Sequence, residues 1–277
     1  MARPIARWLG LSLGRPVVVD NRPGAGNIVG MQACAAAAPD GHTLAVTGMF
    51  STVVQALHRH LPFDIVDGFE HIGTIGAGPQ WLVAHPDAAF DSLEGLLAEA
   101  RRAPGTIDYT SSGIGSTGHL LMELLQQATA VRLTHLPCQG GATALQAVLS
   151  GQVPVTVLPA NIAVGHAQRG SLQPLAVSTS ARSPLAPSVP TFSERGFPDL
   201  SLVSWAGLSA PHGTPRAVVQ RLNASLQQAL ADPGIAERFS ADGMLPMPST
   251  PEQFTRLVRE DTRRWSRLVA RLGLAAG

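Results

Sequence analysis

The turn Ser111-Ser112-Gly113-Ile114-Gly115-Ser116-Thr117-Gly118 carries the sharpest chemical signal in the chain. It follows a β-branched run, Thr106 to Thr110, and precedes a helical pattern from His119 to Ala130. In that placement backbone N–H groups at a helix N-terminus face an anion. The spacing Gly113-x-Gly115-x-x-Gly118 is also that of a dinucleotide loop, which would make the chain an NAD(P)-dependent oxidoreductase. That fingerprint needs an acidic residue about twenty positions on to hold the ribose hydroxyls. Here the next strand pattern, Arg132 to Pro137, ends in Cys138-Gln139, and no acid lies between Glu123 and Glu194. Anion binding is common to both readings; the dinucleotide site is the alternative.

A second turn of this kind, Gln139-Gly140-Gly141-Ala142, precedes a helix bearing Leu145, Val148 and Leu149. Two such loops in one lobe converge on the carboxyl edge of its sheet, where open α/β sheets bind ligands. In the first half of the chain, Thr47-Gly48-Met49-Phe50-Ser51-Thr52 also follows a strand and offers hydroxyl and amide donors; simple capping of the next helix is the competing explanation. The strand exit from Asp20 to Asn27 is glycine-rich but lacks the Gly-Lys-Ser/Thr ending of a phosphate loop, so it reads as a turn that fixes the following helix. Catalysis has little support. His119, His135 and His166 share a half with Ser111, Ser112 and Ser116, but no Gly-x-Ser-x-Gly elbow occurs and Asp108 is the acid nearest in sequence. His58-Arg-His60 has the wrong flanks for a helical zinc pair, and no metal or cofactor is expected.

These loops require alternating elements. Pro16 to Asp20, His42 to Val46, Trp81 to Ala84, Thr106 to Thr110, Val153 to Leu158 and Pro174 to Val177 read as strands separated by helices, the pattern of βαβ units and largely parallel sheets. Ser92 is placed to cap one helix, Thr214-Pro215 opens another, and Thr250-Pro-Glu-Gln253 is a capping box for the last. At least eight strand candidates call for two sheets, with Trp81 to Ala84 and Leu202 to Leu208 as the segments passing between lobes. The 277 residues are 45% hydrophobic and only 14% charged, which excludes disorder. All 20 basic residues are Arg, the net charge is +1, and the Arg run from 256 to 271 alternates with apolar positions as a solvated helix face, so nucleic-acid binding is not expected. Cys34 and Cys138 suggest neither a disulfide framework nor a zinc site.

At this point the chain resembles the tripartite tricarboxylate transporter substrate-binding proteins, the Bug or TctC family, from about Ala2 to its C-terminus. The resemblance rests on the motif from Pro16-Val-Val-Val-Asp20 to Gly26, Ala38-Pro-Asp-Gly-His-Thr-Leu44, Leu61-Pro-Phe-Asp64, Gly105 to His119, Gly151-Gln-Val153, Leu175-Ala-Val177, Val189-Pro-Thr191, Trp205 and Ala210-Pro-His-Gly-Thr-Pro215. It implies an α/β, two-lobed fold of the type II periplasmic-binding-protein kind: residues 1–84 and 206–277 in lobe 1, 85–205 in lobe 2, each a mainly parallel sheet flanked by helices with a cleft between. It further implies a periplasmic, monomeric, non-enzymatic protein that closes on a small carboxylate, a di- or tricarboxylate or an aromatic acid, and hands it to a membrane permease or a sensor. The ligand positions it implies are Thr47, Gly48 and Ser51 in lobe 1, and Ser111, Ser112, Gly113, Gly115, Ser116, Thr117, His119, Gly140, Gly141 and Ala142 in lobe 2.

The departures from the family pattern set further expectations. The family's first strand and Pro-Gly-Gly-Gly type loop, and a signal peptide, would precede the helix that here begins at Met1. The chain as written is therefore expected to stay cytoplasmic, and to be a truncated or misassigned reading frame whose first lobe exposes unpaired strand edges and binds weakly, at the extreme a non-binding remnant. Val157-Leu158-Pro159 stands where members often carry Asp-Asn, which argues against an amino-acid ligand, and Cys138 replaces an aromatic, leaving a smaller wall.

Overall fold

The computed structural model describes residues 1–22, 24, 27–58 and 60–273; parts of the Asp20 to Asn27 turn, and the residue between His58 and His60, fall outside them. The chain forms two compact units. The first comprises Met1–Ala77, Trp205–Ser240 and Leu245–Gly277, the second Gly78–Ser204 and Ala241–Met244. The division falls inside a strand, β2 (Phe69–Ala84), and near the start of β7 (Val203–Pro211), so the chain passes between units through both.

The first unit pairs β1 (Ala45–Gly48) antiparallel with β7, and the first half of β2 antiparallel with β8 (Leu245–Pro246). Helix α1 (Ala2–Leu13) packs Ile5, Ala6 and Leu9 inward and lies on α8 (Arg216–Leu230); α2 (Ile28–Ala35) packs against β1. The last helix, α10 (Pro251–Leu272), packs on α3 (Met49–Leu57), with Phe254, Val258 and Trp265 buried and its Arg256, Arg259, Arg263 and Arg267 exposed. That is the solvated face expected from the spacing. Thr250 Oγ1 accepts the Gln253 N–H and Gln253 reaches back to the Thr250 N–H, the reciprocal capping anticipated from the sequence. One expected strand is missing. Pro16 to Asp20 forms no strand and has no ladder partner, and Val18 is 84% exposed. A strand exists only where a neighbour takes its N–H and C=O groups, and none flanks this segment among the described residues.

The second unit holds a five-stranded sheet in the order β6 (Gln173–Val177), β2, β5 (Val155–Pro159), β3 (Asp108–Ser111), β4 (Thr134–Pro137). β3 runs parallel to both β4 and β5, while β2 is antiparallel to β5 and β6. The second unit's sheet is thus mixed, because β2 enters from the other unit against the direction of the βαβ strands, and the described pairings of the first unit are antiparallel, where the alternation of elements suggested mainly parallel sheets. Trp81, Val83, Val148, Leu158 and Ala163 form the core under helices α6 (Gly141–Leu149) and α7 (Ala160–Gln168). Ser92 caps α4 (Leu93–Arg102) by accepting the Gly95 N–H at 3.2 Å, and Leu96, Leu97 and Ala100 face inward.

Candidate functional site

In the second unit three strands end together and each feeds a helix. β3, β4 and β5 are parallel, so Ser111, Pro137 and Pro159 lie at one edge, and α5 (Thr117–Thr129), α6 and α7 start from it. The first turn of each helix has backbone N–H groups with no intrahelical acceptor, and its dipole favours negative charge there. Gly140 and Pro159, the N-caps of α6 and α7, supply no side-chain acceptor. At α5, Ser116 Oγ accepts the His119 N–H at 3.3 Å. No charged residue occurs in 111–118, 138–143 or 159–162. These three loops offer an anion neutral dipoles only.

The glycines shape this edge. Gly113 sits at φ 127°, and a Cβ there would lie 3.0 Å from the Cys138 carbonyl oxygen, so a side chain would be both strained and crowded. A Cβ on Gly141 would stand 2.6 Å from Ile162 Cδ1 and 3.3 Å from Ser112 Oγ, which brings the β3–α5 loop, α6 and α7 into one neighbourhood. Gly118, the third glycine of the dinucleotide-like spacing, faces Val157: a Cβ would approach its side chain and carbonyl at 3.1 Å. Its role is close packing of α5 on β5. At the end of β4, where a ribose-binding acid would be needed, stand Pro137, Cys138 and Gln139.

Behind the edge lies a polar cluster that sequence reasoning did not assemble. Ser111 Oγ is 2.8 Å from His135 Nε2, and it also accepts from the Ser116 hydroxyl at 3.2 Å and the Gly113 N–H at 3.3 Å. The Gly115 N–H donates to His119 Nδ1 at 3.2 Å. The His119 and His135 rings stack at 4.2 Å, and His135 stacks on Tyr109 at 4.7 Å. The Tyr109 hydroxyl donates to Glu123 at 3.2 Å. Burial lowers both imidazoles to about 4, His119 being further disfavoured by His135, and burial raises the Glu123 carboxyl and the Tyr109 hydroxyl. His119 Nε2 lies 3.7 Å from Glu123 Oε1. That is too far for a hydrogen bond, and the neutral imidazole makes it no ion pair.

Of the expected second-unit positions, Ser112, Gly113, Gly140 and Gly141 are partly exposed and Ala142 is exposed, whereas Ser111, Gly115, Thr117 and His119 are buried. The Ser111–His135 distance is that of a nucleophile and its base. With Ser111 at 0% exposure, however, the hydroxyl is closed to a substrate. Sequence reasoning missed the α7 start, where Asn161 is exposed and Ile162 flanks Gly141. The signal was present as a third strand-to-helix junction, Val157 to Ala160, without glycine or hydroxyl residues to mark it.

The first-unit loop is organised differently. Thr47 Oγ1 donates to Ser209 Oγ at 2.8 Å, which contacts His71 Nδ1 at 2.9 Å, and all three residues are buried. Ser51 Oγ accepts the Gly48 N–H at 3.3 Å. The hydroxyls of Thr47 and Ser51 are engaged within the unit. Among the described residues no group of three or more His, Cys, Asp or Glu could hold a metal, and no helix is long and apolar enough to cross a membrane. Both cysteines are free thiols.

Comparison with known proteins shows the family. The model of the tripartite tricarboxylate transporter family receptor matches residues 1–274. Protein BugT of Bordetella pertussis is 34% identical over 99% of this chain and 84% of its own length. Among solved structures, Rpa4515 of R. palustris with adipate is 29% identical, with a TM-score of 0.89, covering 99% of this chain and 92% of that one. MatC (Rpa3494) from Rhodopseudomonas palustris with bound malate is 30% identical, with a TM-score of 0.84, covering 97% and 92%.

Proposed function

The chain belongs to the tripartite tricarboxylate transporter receptor family, and from that premise we propose that it is a solute-binding protein that captures a small dicarboxylate or related acid at the carboxyl edge of its second-unit sheet and returns it unchanged. One observation carries this reading. Three helix N-termini with two glycine-shaped loops converge on one edge that has no charged side chain. Fixed neutral dipoles recognise a carboxylate while leaving it free to dissociate, as transport or sensing requires. The bound adipate and malate of two neighbours support the ligand class. Family members are periplasmic binding proteins, and the same role is proposed for this chain, acting as a monomer and delivering its ligand to a tripartite-type permease or a sensor. Without a carboxylate near the base of α7, an acid lacking an amino group is the favoured ligand.

Calorimetry against succinate, malate, adipate, citrate, benzoate and glutamate at pH 7.5 tests the proposal. Saturable one-to-one binding of at least one non-amino acid, weakened tenfold or more by Gly141→Val, is the expected result. Binding of none, or tight binding of NAD instead, would overturn it.

A further inference from the structure

We propose that Ile162 makes this edge selective for acids whose carbon next to the bound carboxylate carries hydrogen only, so that an unsubstituted acid binds in preference to its 2-hydroxy counterpart. The proposal rests on the carboxylate-binding reading of the second unit and names the acids that site prefers. The grip is placed at the start of α6. There the Ala144 N–H makes the first intrahelical bond, to the Gly140 carbonyl at 3.2 Å, so the N–H groups of Gly141, Ala142 and Thr143 have no acceptor within the helix. Outside its chain neighbours and its own helix backbone, the three atoms nearest to the position a Gly141 Cβ would take are Ile162 Cδ1 at 2.6 Å, Ser112 Oγ at 3.3 Å and Pro159 Cδ at 4.0 Å. Two side-chain carbons and one hydroxyl therefore border these amides.

The hydroxyls of the β3–α5 loop are unequally available. A hydroxyl has one proton to give. That of Ser116 goes to Ser111 Oγ at 3.2 Å, and that of Ser111 to the Gly113 carbonyl at 3.1 Å or to His135 Nε2 at 2.8 Å. Thr117 is buried. Ser112, partly exposed and beside Gly141, is the hydroxyl left for a ligand. Once its proton serves the carboxylate, a hydroxyl on the adjoining carbon faces the Ile162 and Pro159 side chains, which neither donate nor accept. Ile162 is partly buried and packs, with Cys138, against the core that holds Trp81, Val148 and Ala163. Its branched Cβ restricts rotation, so it is a fixed wall. Ile114, 64% exposed, adds another apolar side chain to the β3–α5 loop. Gln139 and Asn161, the amide side chains of the same loops, are exposed, and a bond to either costs the ordering of an unrestrained side chain. A methylene placed here gains apolar contact, whereas a hydroxyl loses its water without gaining a partner. A wall of this kind rejects an added hydroxyl by roughly tenfold to a hundredfold.

Matched acids that differ only in that hydroxyl provide the test. Malate is unsuitable, because it can turn round and offer the end whose neighbouring carbon is unsubstituted; tartrate carries a hydroxyl beside both carboxylates. Calorimetry at pH 7.5 is expected to show succinate bound about tenfold or more tightly than tartrate, and 3-phenylpropanoate about tenfold or more tightly than its 2-hydroxy derivative, in whichever pair binds. Ile162→Asn, which sets an amide where the δ-carbon stood, should narrow that ratio by about fivefold or more, whereas Ile162→Val, which stays apolar, should keep it within about twofold. A purely structural role of Ile162 would weaken both members of a pair alike and leave the ratio fixed. If Ile162→Asn does not melt cooperatively, Ile162→Thr carries the same expectation. A hydroxy acid bound as tightly as its parent, or a ratio that neither polar variant narrows, would overturn the selectivity and leave carboxylate capture standing. Binding of none of the four acids would also overturn the selectivity, and the wider series with adipate, citrate and benzoate then decides whether capture itself fails.

Discussion

The β3–α5 loop of the second unit and the β1–α3 loop of the first are built from the same residue types and use them in opposite directions. Around Gly113 the hydroxyls of Ser111 and Ser116 turn inward and hold the backbone, leaving Ser112 and the glycine edge partly exposed. Around Gly48 the hydroxyl of Thr47 joins a buried relay to Ser209 and His71, and that of Ser51 takes the Gly48 N–H. A hydroxyl-rich strand exit can therefore leave part of its loop exposed or lock it into the core. Which one it is depends on whether the donors it satisfies leave others facing outward.

The contrast is broken most severely at Gly141. A branched side chain there collides with Ile162 and crowds Ser112, so Gly141→Val should weaken carboxylate binding by about tenfold to a hundredfold, or roughly 1.4–2.7 kcal/mol. Titration calorimetry reads this, and a loss smaller than threefold would remove the α6 start from the site. Thr47→Val should behave in the reverse way. Removing a buried donor leaves Ser209 short of a partner and costs about 1–3 kcal/mol in denaturant stability, while affinity changes by less than threefold. Equal losses in both measurements would place the Thr47 hydroxyl on the ligand.

How much of this was legible in the sequence varies by element. The cap residues Ser92 and Thr250 mark their helices because their signal is local: each side chain meets an N–H within three residues. Strand β2 shows in the sequence only over Trp81 to Ala84, although it runs from Phe69. Gly73, Gly76 and Gly78 interrupt its pattern, and at Gly76 the reason is non-local, since a Cβ would stand 2.9 Å from the Leu245 carbonyl of β8. Pro16 to Asp20 fails conversely: its composition is that of a strand, but pairing is a property of neighbours. Two of the three helix starts at the β3–β4–β5 edge were legible because glycine–hydroxyl turns announce them. The His119–His135–Tyr109 stack was not, because β4 joins β3 through a register, Tyr109 beside His135, that no spacing rule supplies.

A smaller effect distinguishes the units by pH. His71 in the first unit is lowered to about 4 by burial. A folded-state value below the unfolded value of about 6.5 contributes stability that is fully present above pH 6.5 and is lost as pH falls toward 4. By pH 5 the loss from this residue is roughly 2 kcal/mol relative to pH 7.5. Urea midpoints taken across that window should therefore fall less steeply for His71→Gln than for the parent chain, with carboxylate affinity at pH 7.5 unaffected. Parallel slopes would mean that His71 accepts its proton in the folded state.

The smallest effect is expected at a segment of the first unit that forms no strand. Val18 lies 84% exposed on the segment Pro16 to Asp20, beside a surface groove of about 490 Å³ lined by Arg3, Arg7, Leu11, Val17 and Val19. An exposed side chain that packs against nothing contributes little, so Val18→Lys should change stability by no more than about 0.5 kcal/mol. Its consequence lies in association instead. An exposed, apolar, unpaired stretch can pair with another chain, and a charge on it opposes pairing. Light scattering at high protein concentration should show less self-association for Val18→Lys than for the parent, while the same charge at Ala142, an exposed position at the start of α6 in the second unit, should leave association unchanged. A drop of more than about 1 kcal/mol in the Val18 variant would show that this segment is packed in solution, and would bring the two units closer together in character.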